Sequence, residues 1–198
     1  LWKKTFINYL NPQNNTSLID VASGTGDIAK LFLDQIKYKG NVCCIDENKD
    51  MLKINKKKFN NKNNISWHCS SGEKLPFKDN KFDYYTISFG IRNVANIHKV
   101  LNEAFRVLKP GGRFLCLEFS KVENEILSKF YKMYSKTIPK IGKIIIGNSE
   151  PYEYLIKSID EFYSQKEMSE FLKNENFSNI SYKNLSGGIV AIHSAWKI

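Results

Sequence analysis

Arginine is scarce in this chain. Only Arg92, Arg106 and Arg113 interrupt a basic complement of 30 residues that is otherwise lysine. Sequence-specific reading of bases relies on the planar guanidinium, so that class of function is disfavoured. Histidine is limited to three residues, His68, His98 and His193, and no His, Cys and carboxylate cluster has metal-ligand spacing. No metal site is therefore expected. The four cysteines, Cys43, Cys44, Cys69 and Cys116, include no C-x-x-C pair. They lie in apolar, strand-like runs, which predicts buried free thiols in a reducing compartment. No apolar run reaches the length needed to cross a bilayer as a helix. The chain begins at Leu1 with no recognisable signal or transit peptide, so it is expected to be a trimmed or mature fragment.

What is present suits one α/β domain. The 198 residues are 42% hydrophobic and 13% aromatic, enough for a sizeable core and against global disorder. The formal charge is +10. Lysine and asparagine fill the loops, as in 60–64, which reads mainly as compositional drift. A basic patch facing a membrane or a nucleic acid is the alternative.

Apolar segments at 17–22, 42–45, 65–69, 81–88 and 113–118 predict five strands. Helical spacing at Trp2–Leu10, 27–38, 50–59 and 97–108 separates or precedes them. Such alternation argues for a parallel sheet with helices on both faces. Residues 123–162 read as consecutive helical pieces and predict an insertion covering one end of the sheet. A helix at 165–175 and a β-hairpin of 180–185 and 189–196, turning at Gly187-Gly188, close the chain. No linker divides residues 1–198.

The densest chemical signal is Asp20-Val21-Ala22-Ser23-Gly24-Thr25-Gly26, between a buried strand and a helix N-terminus. Its glycines let a ligand approach main-chain N–H groups. Asp46 ends the next strand, where a carboxylate can accept both ribose hydroxyls. Gly24-x-Gly26-x-x-Ala29 also satisfies a dinucleotide pattern, and an ordinary glycine turn is the plainest alternative. Asp20 and Asp27 flank the loop and would repel a pyrophosphate, whereas Asp20 can organise the loop and the ammonium end of a cationic ligand. S-adenosylmethionine is thus favoured over a nicotinamide dinucleotide.

Later segments carry a more specific likeness. Residues 73–83, Glu-Lys-Leu-Pro-Phe-Lys-Asp-Asn-Lys-Phe-Asp, and 105–112, Phe-Arg-Val-Leu-Lys-Pro-Gly-Gly, resemble the segments around the third, fourth and fifth strands of class I S-adenosylmethionine-dependent methyltransferases. Ile87-Ser88-Phe89-Gly90-Ile91-Arg92-Asn93-Val94 resembles the signature of the C-methyltransferases of ubiquinone and menaquinone biosynthesis. Leu117-Glu118-Phe119-Ser120, Tyr152-x-Tyr154-Leu155-x-x-Ser158-Ile159 and Gly188-Ile189-Val190-Ala191-Ile192-His193 add to it, so the resemblance spans essentially the whole chain. The wording of 114–120 and 191–194 is most similar to that of the mitochondrial, ubiquinone-pathway members. Leu1-Trp2-Lys3-Lys4 resembles the end of a family N-terminal helical region that helps close over the cofactor, and the rest of that region is expected to be missing here. Two positions depart from the family pattern. Ser71 stands where Asp or Asn is usual, which weakens an adenine contact, and Asn148 replaces an acidic residue.

The resemblance implies a Rossmann-like class I methyltransferase sheet, mostly parallel, with an antiparallel C-terminal hairpin and a helical insertion. It implies S-adenosylmethionine held by Asp20, Ala22, Ser23, Gly24, Thr25, Gly26, Asp46, Glu47, Met51, Ser71, Gly72, Glu73 and Ser88. Arg92 and Asn93 are the implied catalytic residues. Arg92, Tyr152, Tyr154, Ile159 and Phe162 are implied to hold a polyprenyl benzoquinol. The implied partners are other ubiquinone-biosynthesis proteins in a membrane-associated complex, with a homodimer as a further expectation and no nucleic acid. The implied place is the matrix face of the mitochondrial inner membrane, as a peripheral protein.

Several readings stay open on the residues alone. A nucleic-acid methyltransferase would suit the charge, but Ser88-Phe89-Gly90 stands where amino-methylating members usually carry a Pro-Pro-aromatic motif. A cofactor-binding scaffold and a menaquinone-pathway enzyme are open as well. Arg92 has a surface salt bridge as its bland reading, and the tyrosines have ordinary helix packing. His68 is expected to be packed and His98 solvated. His193 is a weak candidate base, and Glu118 either faces the site or caps a turn.

Overall fold

The computed structural model describes residues 1–59, 62–122 and 150–198, with the side chains of 151 and 152 also outside the description. Helix α1 (Trp2–Leu10) leads into strand β1 (Thr16–Val21), then α2 (Asp27–Gln35), β2 (Gly40–Asp46), α3 (Lys49–Lys58), β3 (Ile65–Cys69) and β4 (Phe82–Ser88). A 3-10 turn (Ile91–Asn93), α4 (Ile97–Val107) and β5 (Leu108–Phe119) follow. Helices α5 (Glu150–Glu161) and α6 (Gln165–Asn174) precede β6 (Ser178–Leu185) and β7 (Val190–Trp196). The predicted alternation is therefore present. Of the expected insertion at 123–162, residues 123–149 lie outside the described residues, and α5 is helical as expected.

The strands form one seven-stranded sheet in the order β3-β2-β1-β4-β5-β7-β6. Pairs among β1 to β5 are parallel, and β7 runs antiparallel to β5 and β6. Parallel strands need both faces covered. One face buries Phe6, Phe32 and Leu52 from α1, α2 and α3, while the other buries Val100, Leu101 and Met168 from α4 and α6. Strand order reverses between β1 and β4, and such switch points are where open α/β sheets bind ligands.

Three details differ from expectation. Strand β5 starts at Leu108 rather than at 113, because Leu108 pairs with Phe82 before the ladder shifts register and resumes at Arg113. Its Lys109-Pro110-Gly111-Gly112 stretch is a kinked strand start and not a separate stop. The C-terminal hairpin turns through a short 3-10 piece at Ser186–Gly188. Cys43, Cys44 and Cys116 are buried, but Cys69 is exposed. It ends β3, where among the described residues no further strand covers it, and its thiol donates to the Glu47 carbonyl.

Candidate functional site

The glycine loop joins β1 to α2 at the switch point. Ala22, Gly24 and Gly26 all have positive φ, at 53°, 51° and 78°. Glycine adopts that region freely, whereas Ala22 is strained there. Three contacts hold the loop. The Ser23 N–H donates to the Ile45 carbonyl, and the Gly26 N–H turns back to the Ser23 carbonyl. The Gly24 N–H donates to Asp46 Oδ2 at 2.8 Å. Asp46 Oδ1 meanwhile accepts from the Asn48 N–H. Asp46 is thus an anchor of the loop as well as the expected ribose partner.

Asn55, which no sequence motif marks, is the second anchor. It is fully buried on α3, and its Nδ2 lies 3.4 Å from Ser23 Oγ and 3.3 Å from the Gly24 carbonyl oxygen. Trp67 Nε1 donates to Asn55 Oδ1 at 3.0 Å and fixes the amide. A Cβ at Gly26 would collide with Asn55, so this glycine is required for close packing as well as for φ. The available signal is a lone Asn at an inward position of α3, one turn beyond Leu52.

Asp20 sits behind the loop rather than at its mouth. Its Oδ1 accepts from Thr86 Oγ1 at 2.8 Å, and its Oδ2 is buried without a partner among the described residues. Burial pushes its pKa up to about 7, against the pull of Thr86. Asp20 therefore does not tie the loop down as expected. Asp46 and Asn55 organise the loop instead.

A first cavity of about 460 Å³ opens beside the loop. Ala22, Asp46, Glu47, Met51, Ser71, Gly72 and Glu73 line it as expected, and Asn93 reaches its wall. Among the described residues, no lysine, arginine or histidine lines it, while three carboxylates do. That set of acceptors fits a ligand with a ribose diol and a cationic end, and opposes a pyrophosphate. Ser71 Oγ accepts from the Glu73 N–H, and Glu73 Oε1 accepts from the Asn96 N–H, so both side chains are oriented. Ser23, Gly24, Thr25 and Gly26 form the loop without lining the cavity. Ser88 is a departure from expectation. Strand alternation gives the cavity to Ile87, and Ser88 Oγ is buried with no partner among the described residues.

A second cavity of about 320 Å³ shares Val94 and Ala95 with the first. Arg92, Tyr154, Ser158, Phe162 and Tyr163 are among its walls. Arg92 is not a surface residue. Its side chain is 9% exposed and pairs at 2.8 Å with Glu118, which is 1% exposed. The guanidinium also donates to the Phe89 carbonyl and to Ser158 Oγ, and lies over the Phe119 ring. Burial lifts the Glu118 pKa, and Arg92 opposes that rise. Glu118 therefore faces Arg92.

Tyr154 Oη donates to Asn93 Oδ1 at 3.1 Å and ties α5 to the wall between the cavities. Phe162 lines the second cavity, whereas Ile159 is packed into the protein and does not. Tyr152 lies on α5, with its side chain outside the described residues, and Asn148 lies outside them entirely.

The histidines lie elsewhere. His68 packs edge-on against Phe77, and burial lowers its pKa. His98 is exposed and meets Glu175 at 3.0 Å. His193 is buried, Nε2 lies 3.2 Å from the Gln165 carbonyl oxygen, and burial lowers its pKa to about 4. It lines neither cavity, which removes it as a candidate base.

Solved structures share this fold. A SAM-dependent methyltransferase from Aquifex aeolicus superposes with a TM-score of 0.73 at 18% identity, covering 99% of this chain and 89% of that one. A Haemonchus contortus phosphoethanolamine N-methyltransferase 2 in complex with S-adenosyl-L-methionine gives 0.75 at 13% identity, covering 98% and 52%. These likenesses establish the class I methyltransferase fold. Curated relatives are much nearer in sequence. Ubiquinone/menaquinone biosynthesis C-methyltransferases from Rickettsia bellii and Rickettsia prowazekii are 54% and 53% identical, each over 100% of this chain and 82% of its own length. The ubiE/COQ5 methyltransferase family matches residues 1–197. With the switch-point cavity and the Arg92 signature in place, the chain belongs to the ubiE/COQ5 methyltransferase family.

Proposed function

We propose that this protein is an S-adenosylmethionine-dependent C-methyltransferase of quinone biosynthesis, acting on a ring carbon of a polyprenyl methoxy-benzoquinol in the ubiquinone pathway. Family membership supports the reaction class. The observation that carries the donor side is the first cavity, walled by Asp46, Glu47 and Glu73 with no basic side chain among the described residues. When bound, S-adenosylmethionine supplies an electrophilic methyl group on a positively charged sulfur.

Methyl transfer needs in-line attack, so placing the two reactants is the main task. Asp46 holds the ribose hydroxyls while keeping the loop closed through Gly24. Glu47, Met51 and Ser71 hold the nucleoside, with Asp20 behind the loop. The second cavity takes the ring, with Phe162 and Tyr154 against it and the tail leading outward past Tyr163. A ring carbon becomes nucleophilic when the neighbouring hydroxyl loses its proton. A guanidinium is a poor base, so Arg92 stabilises the phenolate, or holds the water that takes the proton. Asn93, between the cavities, orients the ring oxygens.

The matrix face of the mitochondrial inner membrane, as a peripheral protein, is part of the same proposal. So are association with other ubiquinone-biosynthesis proteins and self-association as a homodimer. The wording of 114–120 and 191–194 supports the mitochondrial assignment, and the +10 charge suits an anionic surface. The named relatives are bacterial. Cell fractionation with a tagged protein checks the location, and its recovery away from mitochondria rejects it.

The activity test mixes protein with methyl-labelled S-adenosylmethionine and a short-tailed methoxy-benzoquinol under reducing conditions. Label on a ring carbon supports the proposal. Transfer to a demethylmenaquinol alone moves the protein to menaquinone synthesis, and binding without transfer makes it a scaffold.

A further inference from the structure

Arg92 has five N–H donors to place. Three are taken: Nε–H goes to Ser158 Oγ at 3.3 Å, and Nη1 goes to the Phe89 carbonyl at 2.9 Å and to Glu118 Oε1 at 2.8 Å. Nη2 donates no hydrogen bond among the described residues. The residue lines the second cavity. Glu118 is in turn held on both sides. Its Oε1 also accepts the Phe119 N–H at 2.9 Å, and its Oε2 lies 3.4 Å from the Arg92 backbone N–H. The carboxylate comes from β5 and the guanidinium from the turn after β4, which are paired strands. It therefore binds both the main chain and the side chain of Arg92.

We propose that Glu118 is a positioning residue for methyl transfer: its carboxylate locks the Arg92 guanidinium so that Nη2 stays aimed at the place where a substrate oxygen becomes negative. The proposal rests on the reading of Arg92 as the group that meets that oxygen. The physical reason is preorganisation. A donor held in place before charge develops costs no reorganisation when it does. An arginine free to swing would lose that advantage, because its long side chain has several rotatable bonds. Glu118 also keeps a buried guanidinium from standing as an uncompensated charge in a cavity that must accept an apolar ring. Ser158 adds a link to α5, so the same guanidinium is braced from the helix that walls the cavity.

The test compares wild type with Glu118→Gln, Arg92→Ala and the double variant. Methyl transfer is measured with the short-tailed benzoquinol, cofactor affinity by calorimetry and folding by thermal melting. Glu118→Gln keeps the size of the side chain and one carbonyl acceptor. Its kcat is expected to fall ~100-fold, the scale of a misplaced reacting group, with cofactor affinity unchanged. In the Arg92→Ala background the same change is expected to cost nothing further. A Glu118→Gln enzyme with wild-type kcat overturns the proposal, whatever its melting temperature, and so do losses that multiply in the double variant. Should Glu118→Gln fail to fold, the Arg92 Nη1 protons of the wild-type protein decide, because they are the ones that meet Glu118. Slow exchange with solvent supports a locked guanidinium, and exchange as fast as in an exposed arginine overturns it. Wild type that transfers no methyl to any quinol defeats the reading of the substrate instead, while the exchange measurement still judges Glu118.

Discussion

Trp67 on β3 donates its indole N–H to Asn55 on α3, and that amide in turn holds the cofactor loop at Ser23 and Gly24. The loop is thus braced from an edge strand. Asn55→Ala removes the brace and leaves the indole N–H without its partner. Cofactor affinity is expected to fall about tenfold, with a stability loss of about 1–3 kcal/mol. Calorimetry with S-adenosylmethionine and a melting curve check both. Unchanged affinity would mean that the loop holds its shape unaided.

Asp46 serves two purposes at one carboxylate. It accepts the Gly24 and Asn48 N–H groups while presenting itself to the first cavity. Asp46→Asn keeps the size and loses the charge. It is expected to weaken S-adenosylmethionine at least tenfold, since charge-assisted hydrogen bonds are about twice as strong as neutral ones. S-adenosylhomocysteine is expected to weaken similarly, because the ribose is common to both. A loss confined to the charged cofactor would assign Asp46 to the sulfonium and not the ribose.

Arg92→Lys tests the donor geometry of the second cavity. Lysine keeps the charge but cannot reproduce the fork that reaches Phe89, Ser158 and Glu118 together. Loss of an oxyanion-type donor costs on the order of 100- to 1,000-fold in kcat, and that fall is the expected outcome. Cofactor affinity is expected to hold, because Arg92 walls the second cavity only. Stopped-time assays with labelled donor, alongside calorimetry, separate the two quantities.

Two buried groups titrate in opposite senses. His193 has its pKa lowered from 6.5 to about 4, so the native state takes up its proton later than the unfolded chain as pH falls. That contribution is complete above pH 6.5 and is lost as pH falls towards 4. Asp20 has its pKa raised from 3.8 to about 7, so its contribution is complete below pH 3.8 and is lost as pH rises towards 7. The slopes, each at most about 1.4 kcal/mol per pH unit, oppose each other between pH 4 and 6.5. His193→Gln is expected to make stability fall more steeply with rising pH through that range than in wild type, and Asp20→Asn is expected to shift the slope the other way, with the raised Glu118 carboxyl common to both. Urea titrations at pH 4.5 and 6.5 check the signs. Like slopes in the two variants would contradict the assignment.

Much of the fold is legible because it is local. The alternation of short apolar runs with helical spacing predicts β1 to β4 and α1 to α4, and the turn at Gly187-Gly188 predicts the β6–β7 pair. Asp46 and the glycine loop are equally readable, since the loop is a continuous stretch and Asp46 ends the next strand. The start of β5 is misread because Pro110 and two glycines look like a stop, while pairing to Phe82 carries the strand through them. Position in a motif assigns Ser88 to the cofactor, and strand alternation turns it away. The same kind of reasoning assigns Ile159 to the substrate, and the structure leaves it off the wall of the second cavity.

The sequence by itself determined the parallel sheet and the carboxylate-flanked glycine loop, because these reside in spacing along the chain, and its motifs carried the family resemblance. Tertiary structure alone decided which polar groups share a contact. Arg92 meets Glu118 from 26 residues away and Ser158 from 66, and Trp67 meets Asn55 across a strand and a helix. No periodicity encodes such pairs. They form where sheet order and helix packing bring distant segments together, and burial there obliges each donor to find an acceptor.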